Sequence, residues 1–399
     1  MSGKGHVVTF STYAPSPLYG GPARLHWIRV VLEQAGFTTS SVVVNTLPDA
    51  GSLTQDDLRV RPSVPLGFAH HPLYEDVMVG QRAAAQHDIV QGVRRYIVAQ
   101  RPRFVWLEQP WLMALVDAVG LPIGAKLVYS SQNVEFKLKV VLENLHNPQS
   151  DKPNAALVEQ VRAIEAEAME RAALVFSICE ADRTDLLATF GTNSAVLPNG
   201  SSIGQAQPDP GSRFAAMFHQ PGRRFFGFAA SSYLPNQAGL AAIADPSLAF
   251  LPPSARIALA GSISDAVKDH PQILRHWALN AKRLACFGFL SPADFTQFSL
   301  HLPCTIVPIL HGGGSNLKTA DALASGTEVI ASAESMVGYE DVVSEDDTNL
   351  TIVHSAPEFR TAMLEVLSRD PRPRVSTPRA ELLSWPQRLR VAASTLAGL

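Results

Sequence analysis

IVPILHGGGSNLKTADALASGTEVIA, residues 306–331, reads as strand, glycine loop, helix, turn and strand. Gly312, Gly313 and Gly314 let the backbone approach a ligand closely and adopt positive φ. Ser315 is a good N-cap, and the helix that starts there points free N–H groups and its positive dipole end into the loop. A helix start of this kind binds phosphate. Lys318, one turn in, adds a full positive charge for a diphosphate. Asp321 follows three residues later on the same face, where it can accept hydrogen bonds from sugar hydroxyls. The other reading, an ordinary strand–helix connection with a Lys–Asp surface pair, stays open on these residues alone. GxxxxGK[ST] is absent, which disfavours nucleoside-triphosphate hydrolysis.

Outward from this stretch, short β-branched runs alternate with helical-period segments. The spacing predicts strands near 5–10, 38–44, 103–107, 125–130, 173–178 and 194–197, then near 223–230, 255–261, 282–287, 304–309, 327–331 and 349–353. The clearest helix is 154–172, where Leu157, Val161, Ile164, Ala168 and Ala172 recur at helical spacing. Such alternation demands mostly parallel sheets covered by helices on both faces. Residues 198–222, rich in Pro, Gly, Ser and Gln, read as an interdomain linker, and 370–378 as a second one. The last segment, 379–398, is helical again. The expected organisation is an α/β chain of two doubly wound domains, 1–200 and 201–375, with 376–399 as a C-terminal helix packing back on the first. Ligands in such folds lie beyond the carboxyl ends of the strands, and a cleft between the two domains is the expected place for chemistry.

Composition excludes several classes. The chain has 399 residues, 46% hydrophobic and only 17% charged, against about 25% charged for an average domain, which argues against a disordered chain. A net charge of -3 gives no footprint for a nucleic-acid partner. Cys179, Cys286 and Cys304 are widely spaced and form no CxxC, so free thiols in a reducing compartment are expected. No apolar leader and no run of 18 apolar residues is visible, and the expectation is a cytoplasmic protein. Arg94, Arg95, Arg101, Arg103, Lys137 and Lys139 read as solvated helix faces, or as attraction to the anionic inner face of a membrane.

Further polar candidates follow predicted strands of the first half. Gly20 and Gly21, within Tyr19-Gly20-Gly21-Pro22, sit between the first strand and first helix; a simple loop is the alternative. Glu108 and Gln109 follow one strand, and Gln132, Asn133 and Glu135 another. Carboxylates there serve as base, acid or hydroxyl anchor, or Asn133 and Glu135 merely cap a helix. His70-His71 has no partner at metal spacing, whereas His311 precedes the glycine loop and is the better candidate for ligand contact. No GxSxG, HExxH or paired CxxC is present, against a hydrolytic triad or a zinc enzyme.

The segment GGGSNLKTADALASGTEVIAS resembles the nucleotide-sugar signature of retaining GT-B glycosyltransferases of family 4. SSQNVE (130–135) is similar to that family's HNVE-type segment, AALVFSICEADRTDLL (172–187) to its strand leading to the domain junction, and VLPNGSSI (196–203) to its PNGVD hinge. FAASSYLPNQAGL (228–240) looks like the opening strand and PN turn of the second domain, and CFGFLSPADF (286–295) like the turn that cradles the nucleobase. The resemblance covers nearly the whole chain.

It implies two Rossmann-like domains facing a cleft and a nucleotide-diphospho-sugar donor held mainly by the second. A carbohydrate, glycolipid or small-molecule acceptor would sit against the first, and transfer would proceed with retention and without metal or cofactor. By position, the backbone of Ser315, Asn316 and Leu317 would bind the diphosphate, beside Gly313 and Gly314. Lys318 would stabilise the leaving group, and Asp321 would stand where the family has a Glu on the ribose. Phe289 would meet the base, Gly20 and Gly21 would admit the donor phosphates, and Ser231 would close on the sugar. Glu108 and Asn133, with Lys318, are the catalytic candidates. Departures are Gly313 where a Glu is frequent, Gln132 where a His is common, and SSYLPNQ where Arg and Lys are frequent. A catalytically silent nucleotide-sugar-binding subunit and a nucleotide-sugar 2-epimerase are the alternatives within this fold.

Overall fold

The computed structural model describes residues 4–17, 20–45, 53–63, 73–146, 154–344, 347–375 and 379–399; His70-His71 and Tyr19 lie outside them. The chain divides into two compact units, Met1–Pro198 with Arg388–Leu399, and Asn199–Gln387.

The first unit is built on a parallel sheet of β1 (His6–Ser11), β2 (Thr38–Val44), β3 (Leu58–Val60), β4 (Phe104–Leu107), β5 (Lys126–Ser130), β6 (Leu174–Ser177) and β7 (Ala195–Val196), in the order β3-β2-β1-β4-β5-β6-β7. Val8 pairs with Ser40 on one side and Val105 on the other. Every residue of β4 is buried, as a parallel strand covered on both faces requires. Six strands lie where the sequence predicts them. The seventh, β3, is a three-residue edge strand with a charged centre, too short to leave an apolar pattern.

Helix Ala155–Arg171 also matches its expectation, opened by Asn154, whose side chain accepts from Leu157 N–H at 3.3 Å. It supplies a cap for another helix. Glu165, fully buried, accepts from the amides of Glu135 and Phe136 at 3.0 and 3.4 Å. Those amides open helix Glu135–His146, and a helix start leaves such donors without partners of its own. Burial raises the carboxyl pKa values of Glu165, Glu135 and the nearby Asp182, and the charge of Glu135 adds to the rise at Glu165.

One sequence expectation needs correction here. Lys139 is not on a solvated face. Its ammonium is buried, donates to both oxygens of Asp76 at 2.8 and 2.9 Å and to Leu73 O at 2.6 Å, and lies over the rings of Tyr74 and Trp111. Arg94 is exposed on its helix, as expected, and its guanidinium also donates to the carbonyls of Ala118 and Val119 at the end of helix Met113–Val119.

The second unit carries β8 (Arg224–Ala229), β9 (Ala255–Ala260), β10 (Leu284–Gly288), β11 (Cys304–Val307), β12 (Glu328–Ser332) and β13 (Leu350–Val353), all parallel, in the order β10-β9-β8-β11-β12-β13. All six match predicted strands. The stretch 198–222 is not a loose linker. It contains helix Arg213–Phe218, whose Phe214 and Phe218 are buried in a cluster with Phe225 and Phe298, at ring separations of 5.1 to 5.6 Å. Six residues are too few to show a period, so only packing reveals this helix. The helical segment at the chain's end is split, into Arg379–Leu382 and Trp385–Ala397.

Candidate functional site

In the second unit the carboxyl ends of β8, β10 and β11 bring the candidates of that half to one edge. After β11 the chain passes through Pro308 and Ile309 to His311, Gly312 and Gly313, which are open to solvent to differing degrees, and then turns inward at Gly314. Among the three glycines only Gly314 takes a positive φ, +62°, a narrower requirement than the sequence suggests. The helix runs Leu317–Ser325 and its N-cap is Asn316, one residue later than the expected Ser315. Neither side chain caps it. Asn316 Oδ1 accepts from Lys318 Nζ at 3.1 Å, and Ser315 Oγ is buried without a partner among the described residues.

The loop is held by its carbonyls. Asn199 Nδ2 donates to Ser315 O at 2.9 Å and the Tyr339 hydroxyl to Asn316 O at 2.8 Å. Thr319 Oγ1 anchors the first turn on Ser335 O at 2.8 Å. With the carbonyls engaged, the amides of Ser315, Asn316 and Leu317 have no acceptor among the described residues. Three successive free N–H groups at the positive end of a helix form a site for an anion. A close approach braces the loop from behind. Gly239, in helix Leu234–Ile243, lies so near Pro308 that a Cβ would fall 1.7 Å from its carbonyl oxygen.

Lys318 and Asp321 sit on one helix face, as their spacing predicts, but they are less exposed than a surface pair. Both line a small cavity of about 30 Å³ walled by Phe228, Phe295, Phe298 and Leu302, room for about one water. Burial pushes the Lys318 ammonium down to about 8, opposed by the Asp321 charge. Burial pushes Asp321 up to about 6, opposed by the 2.6 Å hydrogen bond from Ser201 Oγ and by Lys318. The pair therefore changes charge near neutrality.

The remaining candidates of this half flank the loop. Phe289 follows β10 and is 74% exposed, an aromatic face free to stack on a planar ligand. Ser231 is exposed just beyond β8, with its carbonyl and hydroxyl oxygens accepting from Asn236 Nδ2 at 3.0 and 3.3 Å. His311 is exposed at the head of the loop.

In the first unit the carboxyl ends of β1, β4 and β5 carry a polar network. Glu108 is 1% exposed. Its oxygens accept from Trp106 Nε1 at 2.5 Å and Gln132 Nε2 at 2.7 Å. Gln132 also donates to the Tyr13 hydroxyl, and Gln109 Oε1 accepts from Thr12 N–H at 3.0 Å. Burial raises the Glu108 pKa, opposed chiefly by the buried Arg24 guanidinium, which donates to Leu197 O at 2.9 Å. Asn133 lies beside this network and donates to Glu135 at 3.3 Å. The space beside Gly21 is taken by the Tyr13 ring, 2.5 Å from where a Cβ would stand; Gly20, at φ +58°, begins the first helix. Sequence reasoning missed Tyr13, Arg24, Asn199, Ser201 and Tyr339. Of these, Asn199 and Ser201 lie within the quoted PNGSS segment. Among the described residues no group of three His, Cys, Asp or Glu is arranged to hold a metal ion, and no helix is long and apolar enough to cross a membrane.

Two parallel sheets, each ending its carboxyl edge in polar groups, define the GT-B architecture of glycosyltransferases. Solved structures agree over nearly the full length. HepE of Anabaena, in complex with UDP and glucose, aligns with a TM-score of 0.67 at 17% identity, covering 98% of this chain and 99% of that one. Sucrose-phosphate synthase from Thermosynechococcus elongatus aligns at 0.66 and 16%, covering 98% and 96%. WaaG, a glycosyltransferase involved in lipopolysaccharide biosynthesis, aligns at 0.62 and 15%, covering 97% and 95%. Residues 5–200 match the family model of the glycosyl transferase 4-like domain, so the first unit is similar to that domain and the chain as a whole shares the fold of these enzymes. No curated protein sequence matches it.

Proposed function

We propose that the chain moves a sugar from a nucleotide-diphospho-sugar to a hydroxyl acceptor, with retention at the anomeric carbon and without metal or cofactor. The observation that carries this is the trio of free amides at Ser315, Asn316 and Leu317 with the Lys318 cation beside them. Negative charge grows on the departing diphosphate, and preorganised donors aimed at it lower the barrier. Gly313 and Gly314 leave room for the phosphates, Asp321 takes the ribose, Phe289 stacks on the base, and Ser231 and His311 stand nearest the sugar. HepE, which has been solved with UDP-glucose, supports a donor of this class. The acceptor, a growing polysaccharide, a glycolipid or a small molecule, is assigned to the first unit. There Gln132 and Asn133 present hydrogen-bonding groups, and Glu108 sets the orientation of Gln132. The free cysteines suit action in the cytoplasm, including at the inner membrane face.

The experiment is a thermal-shift screen against UDP, GDP, ADP, TDP and their sugars, followed by turnover with candidate acceptors in the presence of EDTA. One nucleotide family should raise the melting temperature by mass action, and turnover should survive chelation. No shift with any nucleotide would overturn the donor assignment, and loss of turnover on chelation would overturn the metal-free mechanism. Stabilisation without turnover would favour a silent binding subunit, the reading that Gly313 in place of a carboxylate supports.

A further inference from the structure

The second unit holds another recess, at the amino ends of its strands and so a strand length, about 15 Å or more, from the glycine loop. Its volume is about 620 Å³, within the range of small-molecule sites. Arg223 and Arg224 enter it from the start of β8, Arg372 and Arg374 from the segment DPRPR (370–374), and His219 and His301 complete its polar wall. Four arginines against one carboxylate, Asp370, leave a charge of +3 on the lining of a chain whose net charge is -3.

The arginines are positioned rather than loose. Arg374 donates through Nε to Ser325 O at 2.6 Å, and Val375 N–H pairs with Gly326 O at 2.8 Å, which fixes the segment. Pro371 and Pro373 restrict the backbone on either side of Arg372, and Arg372 and Arg374 both line the recess. Arg224 donates to Arg369 O at 3.1 Å, and Arg372 stands 3.7 Å from the buried Glu328, a carboxylate that Arg369 also contacts. Arg223 is exposed, its backbone N–H donates to Gln220 O at 3.2 Å, and its side chain has no hydrogen-bond or ion-pair partner among the described residues. No role in donor or acceptor binding engages any of these groups.

We propose that this recess binds a small, free, phosphate-bearing anion. Guanidinium forks match phosphate oxygens in pairs, and several of them held in advance cost little ordering on binding. The concave shape, rimmed by Pro221, Pro252 and Pro303, accepts a whole small molecule, whereas a bilayer surface would need a protruding basic patch.

Inorganic pyrophosphate is the probe, titrated by calorimetry into the full chain carrying Lys318→Ala, which weakens its binding at the glycine loop. Pyrophosphate should bind, and both Arg223→Glu and the pair Arg372→Gln with Arg374→Gln should weaken that binding by about tenfold, a loss expected of charge-assisted hydrogen bonds. Arg223→Glu touches no structural partner, so its melting temperature should be unchanged. Binding that is absent, or indifferent to both sets of substitutions, would overturn the proposal. Arginine-dependent sedimentation with phosphatidylglycerol vesicles, without pyrophosphate binding, would also overturn it, in favour of a lipid surface. The outcome is independent of the donor assignment, because nucleotide binding to the wild-type chain is read separately.

Discussion

The two sheets repeat one plan. The order β3-β2-β1-β4-β5-β6 of the first unit corresponds strand for strand to β10-β9-β8-β11-β12-β13 of the second. At the matching position, where the strand order reverses, the two are finished differently. After β11 the chain offers backbone, three amides kept free because Asn199 and Tyr339 have engaged the neighbouring carbonyls. After β1, β4 and β5 it offers side chains, with Glu108, Gln132 and Tyr13 holding one another. Backbone amides read negative charge with little regard to what bears it. An oriented side-chain network can read the positions of hydroxyl groups. A shared fold thus provides the edge, and local sequence decides which ligand chemistry that edge recognises.

This contrast can be broken at its strongest point first. Lys318→Ala should lower turnover by about a hundredfold, the scale for losing one preorganised donor to a developing charge; steady-state kinetics on protein of unchanged melting temperature would check it. Next comes pH. Burial lowers Lys318 to about 8, so its ammonium is lost as pH rises through that value. Above it, kcat/KM for the donor should fall about tenfold per pH unit. Asp321, raised to about 6, loses its charge as pH falls through that value and sets the acid limb. Lys318→Arg should remove the alkaline limb, and a profile flat across pH 7 to 9.5 would dismiss the role of Lys318.

The first unit gives a smaller and different response. Glu108→Gln puts an amide between two donors, Trp106 Nε1 and Gln132 Nε2, and leaves one of them unmatched. That costs 1–3 kcal/mol on general grounds, so kcat/KM for the acceptor should fall about tenfold while nucleotide affinity by calorimetry stays the same. An equal loss in both would erase the distinction between the two ends. Smallest is Asp321→Asn, which should weaken nucleotide binding about fivefold, roughly the worth of one hydrogen bond.

What could be read in advance divides along physical lines. Strand positions were legible because burial on both faces writes continuous apolar runs, as in FVWL of β4. The glycine loop and the shared helix face of Lys318 and Asp321 were legible because glycines between an apolar run and a helical segment mark a strand–loop–helix turn, and a three-residue spacing fixes a helix face. The Phe214 helix was hidden, because its evidence is a set of ring contacts with residues up to 84 positions away rather than a period. The N-cap at Asn316 was hidden because carbonyl anchors from Asn199 and Tyr339, distant in sequence, set where the helix begins. Gly21 was taken for ligand space; its missing Cβ accommodates Tyr13.

The carboxyl group that caps helix Glu135–His146 has a consequence for how the first unit responds to its solvent. Glu165 is held at about 8, and Glu135 and Asp182 are raised with it, whereas the unfolded chain releases these protons near 4 to 4.5. At neutral pH the folded form therefore binds more protons than the unfolded one, and folding draws them from the buffer. Stability from these groups is fully present below the unfolded values and drains away as pH rises toward 8. For these three groups, mild acid adds stability and alkali removes it.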